Sequence, residues 1–160
     1  MLKYINTQVI FREFPDETTL AFNISNCPIH CPDCHSKYLW DNVGTNLTIE
    51  NIISELNKYN NGITCIGFMG GDSDISYLTN IVQSLKEIYP NLKYGWYSGK
   101  DYINPIFDYV KIGPYDKRYG GLDKKTTNQR IYKIIHNNKD NSDIHKNYLV
   151  DITKRFWNRV

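Results

Sequence analysis

Thr18-Thr19-Leu20-Ala21-Phe22-Asn23-Ile24 alternates with a period of two and runs directly into Asn26-Cys27-Pro28-Ile29-His30-Cys31-Pro32-Asp33-Cys34-His35. The first segment has the pattern of a half-buried strand, and it delivers the chain into a cysteine loop. Three of the four cysteines fall within eight residues, spaced C-x3-C-x2-C. Pro28 and Pro32 suit a loop that must not become helix, because each lacks a donor and fixes its own backbone angle. Three thiolates on one short loop can converge on a single metal centre, and soft sulfur ligands select zinc, Cu(I) or an iron–sulfur cluster. Iron–sulfur clusters are usually held by four protein thiolates, so three leave one iron free to bind something else. The rival is a structural zinc site with His30 or His35 as fourth ligand. Zinc sites commonly split their ligands into two separated pairs, and no second pair exists here. Disulfides are a poorer reading, since the dense spacing stands in a chain with no export signal.

Upstream of the loop, residues 3–12 mix apolar and polar positions around a short strand at Val9-Ile10-Phe11, and Pro15-Asp16-Glu17 is a turn signal. Downstream, Thr48 begins a helix whose apolar stripe is Ile49, Ile52, Ile53 and Leu56, stopped by Asn60-Asn61-Gly62. Ile63 to Met69 is a nearly continuous apolar run, the pattern of a strand covered on both faces. Gly70-Gly71 follows, and Asp72, Ser73 and Asp74 supply capping chemistry for a second helix striped by Ile75, Leu78, Ile81, Val82, Leu85 and Ile88. Leu92–Tyr97 and Phe107–Ile112 are further strands, and Gln129–Ile135 is a strand or a short helix. Tyr148-Leu149-Val150 and Arg155-Phe156-Trp157 pack back as a closing hairpin or edge.

Strands alternating with helical patterns imply βαβ units and a mostly parallel sheet. A complete eight-stranded barrel needs at least ~200 residues, so 160 residues predict a partial (βα) barrel open on one side. The chain reads as a single domain over 1–160, with the cysteine loop at 26–35, a polar loop at about 137–146 and a closing segment at 147–160. Residues at the C-terminal ends of parallel strands line the site in such sheets. The cysteine loop, Gly70-Gly71-Asp72 and Ser98-Gly99 each follow a predicted strand, so all three are expected on one rim. Gly70-Gly71 is either an ordinary turn or a place where backbone approaches a ligand closely. Asp72 is either a ligand acceptor or a helix cap. Cys65, inside an apolar strand, reads as an inert buried thiol.

The hydrophobic content of 41% is ordinary, and a net charge of +2 argues neither for nucleic acid nor for an anionic membrane. No run approaches the ~18 apolar residues that a membrane span needs, and residues 1–6 have no apolar signal core. The expected location is cytoplasmic.

The C-x3-C-x2-C loop resembles the signature of the radical S-adenosylmethionine (SAM) superfamily, and Phe68-Met69-Gly70-Gly71-Asp72 resembles its Gly-Gly-acidic motif. His35-Ser36-Lys37-Tyr38-Leu39-Trp40, Trp96-Tyr97-Ser98-Gly99 and Thr127-Asn128-Gln129-Arg130 narrow the resemblance to the activating proteins of anaerobic (class III) ribonucleoside-triphosphate reductases, over roughly residues 1–135. The superfamily often carries Glu where Asp72 stands and an aromatic residue where Asp33 stands. The resemblance implies a 4Fe–4S cluster on Cys27, Cys31 and Cys34, with SAM contacted by Gly70, Gly71, Asp72, Ser98, Gly99 and Asp33. It implies no catalytic side chain, because cluster and SAM carry the chemistry. It implies as partners a large glycyl-radical reductase subunit and an electron donor such as flavodoxin or ferredoxin. The alternatives are an activase of another glycyl-radical enzyme, a radical SAM enzyme acting on a small molecule, and a non-catalytic zinc or iron–sulfur module.

Overall fold

The computed structural model describes residues 1–136 and 147–157. The predicted polar loop at 137–146 and the last three residues of the closing segment lie outside them. The apolar runs of the sequence become strands β1 (Lys3–Ile10), β2 (Thr19–Ile24), β3 (Thr45–Asn46), β4 (Cys65–Met69), β5 (Lys93–Tyr97), β6 (Tyr109–Ile112), β7 (Arg130–Ile135) and β8 (Tyr148–Asp151). The two amphipathic stripes become α1 (Ile49–Leu56) and α2 (Ile75–Ile88). Thr48 caps α1 by accepting from the Asn51 amide at 3.2 Å. Asp74, not Asp72, caps α2, accepting from the Tyr77 amide at 3.0 Å.

All eight strands form one sheet in the order β3-β1-β2-β4-β5-β6-β7-β8. The expected partial (βα) barrel with a mostly parallel sheet is not what forms. Only β2–β4, β4–β5 and β5–β6 pair in parallel. The pairs β1–β2, β1–β3, β6–β7 and β7–β8 are antiparallel. The sheet is therefore mixed, and its end strands β3 and β8 do not meet. The crossover from β5 to β6 is the loop 98–108, which contains Pro105 and no helix, so among the described residues only two α-helices accompany eight strands. Antiparallel neighbours need no helical crossover, and that is why the helices run out at both edges.

Strand alternation splits the core into two layers. On one face Leu20, Phe22, Ile24, Ile66, Phe68, Tyr94, Trp96 and Val110 pack with Ile52 of α1 and Leu78, Ile81, Val82 and Leu85 of α2. On the other, Cys65, Tyr109 and Ile131 pack with Phe14, Ile152 and Phe156. Phe14, fully buried, lies over two strand glycines. A Cβ on Gly67 would stand 2.7 Å from its ring, and one on Gly95 2.4 Å. Gly95→Ala should therefore lower stability by about 1–3 kcal/mol through overpacking, read from the midpoint of a urea titration. An unchanged midpoint would mean that the Phe14 loop yields without cost.

Candidate metal centre

The cysteine loop leaves the C-terminal end of β2 and turns back three times. Asn26, His30 and Asp33 take left-handed conformations at φ 61°, 48° and 60°. Asn and Asp visit that region more readily than other residues with a Cβ; His30 is the costlier case. Such backbone persists where the surroundings fix it, and here they do. The Asn26 amide donates to the Asp41 carbonyl at 3.1 Å, Cys27 to Leu39 at 3.0 Å and Cys34 to Cys31 at 3.1 Å. Cys27, Cys31 and Cys34 come out half-buried, while Pro28, His30, Pro32, Asp33 and His35 are exposed. The Ser36 amide donates to Cys34 Sγ at 3.3 Å, a contact of the kind that tunes a metal-bound sulfur.

Both histidines of the loop rest against aromatic rings. His30 stacks on Trp40 with ring centroids 4.5 Å apart, and His35 leans on Tyr115 at 5.1 Å. Among the described residues no group of three His, Cys, Asp or Glu could hold a single metal ion. Three half-exposed thiols on one loop do fit a multi-iron cluster, whose cysteine ligands each bind a different iron.

The Gly-Gly turn lies on the same rim. Gly70 and Gly71 have φ of 113° and 101°, conformations open to glycine at no steric cost. A Cβ on Gly70 would stand 3.1 Å from the Ile24 carbonyl oxygen, and one on Gly71 2.9 Å from Leu78 Cδ2. The Gly70 amide donates to the Tyr97 carbonyl at 3.0 Å, and Trp96 Nε1 donates to the Gly70 carbonyl at 2.9 Å.

Asp72 joins this turn to the end of β5. One carboxylate oxygen accepts from the Ser98 hydroxyl, the other from the Gly99 amide at 2.9 Å. Lys100 Nζ donates to the Asp72 backbone carbonyl at 3.0 Å. Gly99 in turn packs on the cysteine loop, since a Cβ there would lie 2.7 Å from Ile29 Cγ1. Asp72 is 4% exposed and Ser98 1%. Both carboxylate oxygens are thus engaged by the protein itself, and Asp72 acts as the clasp between two loops. Asp72→Ala should leave a buried hydroxyl and a half-buried amide without their acceptor and cost about 1–3 kcal/mol, again read by urea denaturation. No loss would mean that Ser98 and Gly99 find other partners.

Sequence reasoning missed Lys111. It is the one charge in the fully buried strand Tyr109–Ile112, and a lone lysine inside an apolar run was the signal that could have found it. Its ammonium donates to the Ser98 carbonyl at 3.0 Å and the Gly113 carbonyl at 2.8 Å. Burial pushes its pKa down to about 8, against the opposing pull of Asp72, Cys31, Cys27 and Cys34.

Asp33 lines a cleft of about 850 Å³ with Ile29, Cys31 and Pro32, facing Pro114, Tyr115 and Arg118. A neighbouring cleft of about 630 Å³ is shared by His35, Tyr97, Lys111 and Gln129. A third cleft, lined by Lys86, Asp108, Lys133 and His136, lies where the parallel strands begin, away from every motif. In such sheets ligands bind beyond the carboxyl ends. Cys65 is fully buried, and burial raises its thiol pKa well above the ordinary value. Gln129 is 6% exposed and donates to the Gly113 carbonyl at 3.3 Å. Asn128 is exposed and donates to the Pro114 carbonyl at 3.1 Å. Among the described residues no helix is long and apolar enough to cross a membrane.

Compared with known proteins, residues 18–106 match a family described as "4Fe-4S single cluster domain". That span runs from β2 through the cysteine loop and the Gly-Gly turn to the loop after β5. No curated protein and no solved structure matches the chain.

Proposed function

The chain belongs to the family of 4Fe-4S single cluster domains, and from that premise we propose that Cys27, Cys31 and Cys34 hold the cluster of a radical SAM activase. Its substrate is a glycine of an anaerobic ribonucleoside-triphosphate reductase. The observation that carries this reading is the Asp72 clasp. It ties the Gly-Gly turn to Ser98-Gly99, and Gly99 rests on Ile29 of the cysteine loop. Three motifs far apart in sequence thereby share one rim. A cluster held by these three thiolates would supply the electron for reductive cleavage of SAM and, through it, for hydrogen abstraction from the glycine.

The chain's own residues bind and orient. Gly70 and Gly71 present backbone without a Cβ, and each carbonyl, already accepting from Trp96 Nε1 or the Asp74 amide, keeps a second lone pair for the ammonium of SAM. Asp72 holds that turn in place rather than offering a free carboxylate. Ser98 and Gly99 fix the opposite side, and Asp33 borders the cleft beside Cys31. The exposed crest of the loop, Pro28, His30, Pro32 and Asp33, leaves room for a segment of a large protein to reach the site. An electron donor of the flavodoxin or ferredoxin class must reach it as well.

The test is anaerobic reconstitution and reduction, followed by mixing with SAM and the reductase. A glycyl-radical doublet should appear in the electron paramagnetic resonance spectrum, with methionine and 5′-deoxyadenosine in rough proportion. A doublet formed only on another glycyl-radical enzyme would keep the activase and change its substrate. A full cluster that never cleaves SAM would reduce the protein to a non-catalytic iron–sulfur module.

A further inference from the structure

We propose that Lys111 is the fixed counter-charge of the cysteine loop, holding the negative charge that the cluster gains on reduction and so raising its reduction potential. The proposal rests on Cys27, Cys31 and Cys34 as the ligands. Lys111 is 8% exposed at the C-terminal end of β6, the strand that ends beside the rim. A buried ammonium is costly unless an opposite charge faces it. Its two hydrogen-bond acceptors are carbonyls, and the Tyr97 ring lies 5.8 Å away. These are dipoles and a quadrupole, and none carries a full charge. Among the described residues no carboxylate forms an ion pair with it. Asp72, the nearest in effect, already accepts from Ser98 and Gly99.

The Asp72 carboxylate keeps its charge while accepting these bonds and acts on Lys111 most strongly, and the cysteine loop comes next. Lys111 is fastened to the Ser98 carbonyl, Gly99 follows Ser98, and Gly99 packs on Ile29 between Cys27 and Cys31. Lys111 also lines one cleft with His35, the residue after Cys34. The thiols of Cys31, Cys27 and Cys34 follow Asp72 in acting on it. Net charge around a cluster sets its potential along with hydrogen bonds and exposure. A fixed positive charge favours the state with one more electron, supplied by a low-potential one-electron donor.

The experiment is a redox titration of the reconstituted full chain, with dithionite as donor and the reduced cluster's paramagnetic signal as readout. Lys111→Gln keeps a donor for the two carbonyls without the charge, Lys111→Met removes both, and Lys111→Arg keeps the charge. Iron per chain should stay at the parent level in all three. The midpoint potential should fall in Lys111→Gln and Lys111→Met, while Lys111→Arg stays close to the parent. Should Lys111→Met fail to fold, Lys111→Gln decides. A parent-level potential in Lys111→Gln would make the lysine a strap between two carbonyls and overturn the proposal. So would an equal fall in Lys111→Arg and Lys111→Gln. Absence of a cluster from the parent protein, or its survival without the three cysteines, would instead overturn the ligand assignment beneath it.

Discussion

Cys27→Ala, Cys31→Ala and Cys34→Ala should each lose most of the iron that the parent protein takes up on anaerobic reconstitution, about four per chain, while Cys65→Ala keeps it. The effect is expected to be large because two remaining thiolates leave the cluster a protein ligand short. His30 is stacked on Trp40 and His35 is tilted against Tyr115, and Cys65 lies on the covered face of the sheet beside Phe14 and Tyr109. Iron analysis and the brown absorption of the reconstituted protein measure it. Exposure to air should bleach that colour, since an iron with an open position is accessible to oxidants. Selective loss of the cluster in Cys65→Ala, with the chain still folded, would show that the ligand set had been misassigned.

The second large effect is expected at Gly71. If the protein is the SAM-binding activase proposed above, Gly71→Val should weaken SAM binding by about tenfold or more, equivalent to ~1.4 kcal/mol, with iron content intact. At φ 101° a side chain is strained, and its Cβ would press on Leu78 Cδ2 at 2.9 Å. That strain displaces the turn that Asp72 clasps to Ser98. Calorimetry, or the change in the reduced cluster's paramagnetic signal on adding SAM, gives the affinity. A urea titration alongside it separates loss of the site from loss of the fold. Destabilised protein that still binds SAM as the parent does would leave Gly70-Gly71 as a turn and nothing more. Asp72→Glu tests the same clasp. Although the superfamily often carries Glu at this position, an extra methylene must fit where both oxygens are already bound at 4% exposure, so its binding should fall between Asp72 and Ala.

Much of the site was legible in the sequence because its parts are local. The C-x3-C-x2-C loop, Thr48 as a cap, the stripes of α1 and α2 and the buried thiol of Cys65 each depend on residues a few positions apart. Strand positions were legible too, since burial on one or two faces leaves its pattern in the residues themselves. Strand direction and sheet closure were not. Periodicity is the same for parallel and antiparallel pairing, so the runs that become β1, β7 and β8 gave no sign that they turn back and leave an open, mixed sheet.

Contacts across long separations were equally hidden. Asp72 meets Ser98 and Gly99, 26 and 27 residues away. The Tyr97 hydroxyl donates to the Glu13 carbonyl across 84 residues, and Phe14 fills the space above Gly67 and Gly95. The sequence by itself determined which residues carry thiols, turns and apolar faces, because those are properties of single side chains and their near neighbours. The tertiary structure alone decided that Asp72 serves as a clasp and that the buried Lys111 ammonium binds the Ser98 and Gly113 carbonyls. Pairing of strands sets which distant groups come within a few ångströms, and only at that range do hydrogen bonds and buried charges assign a role.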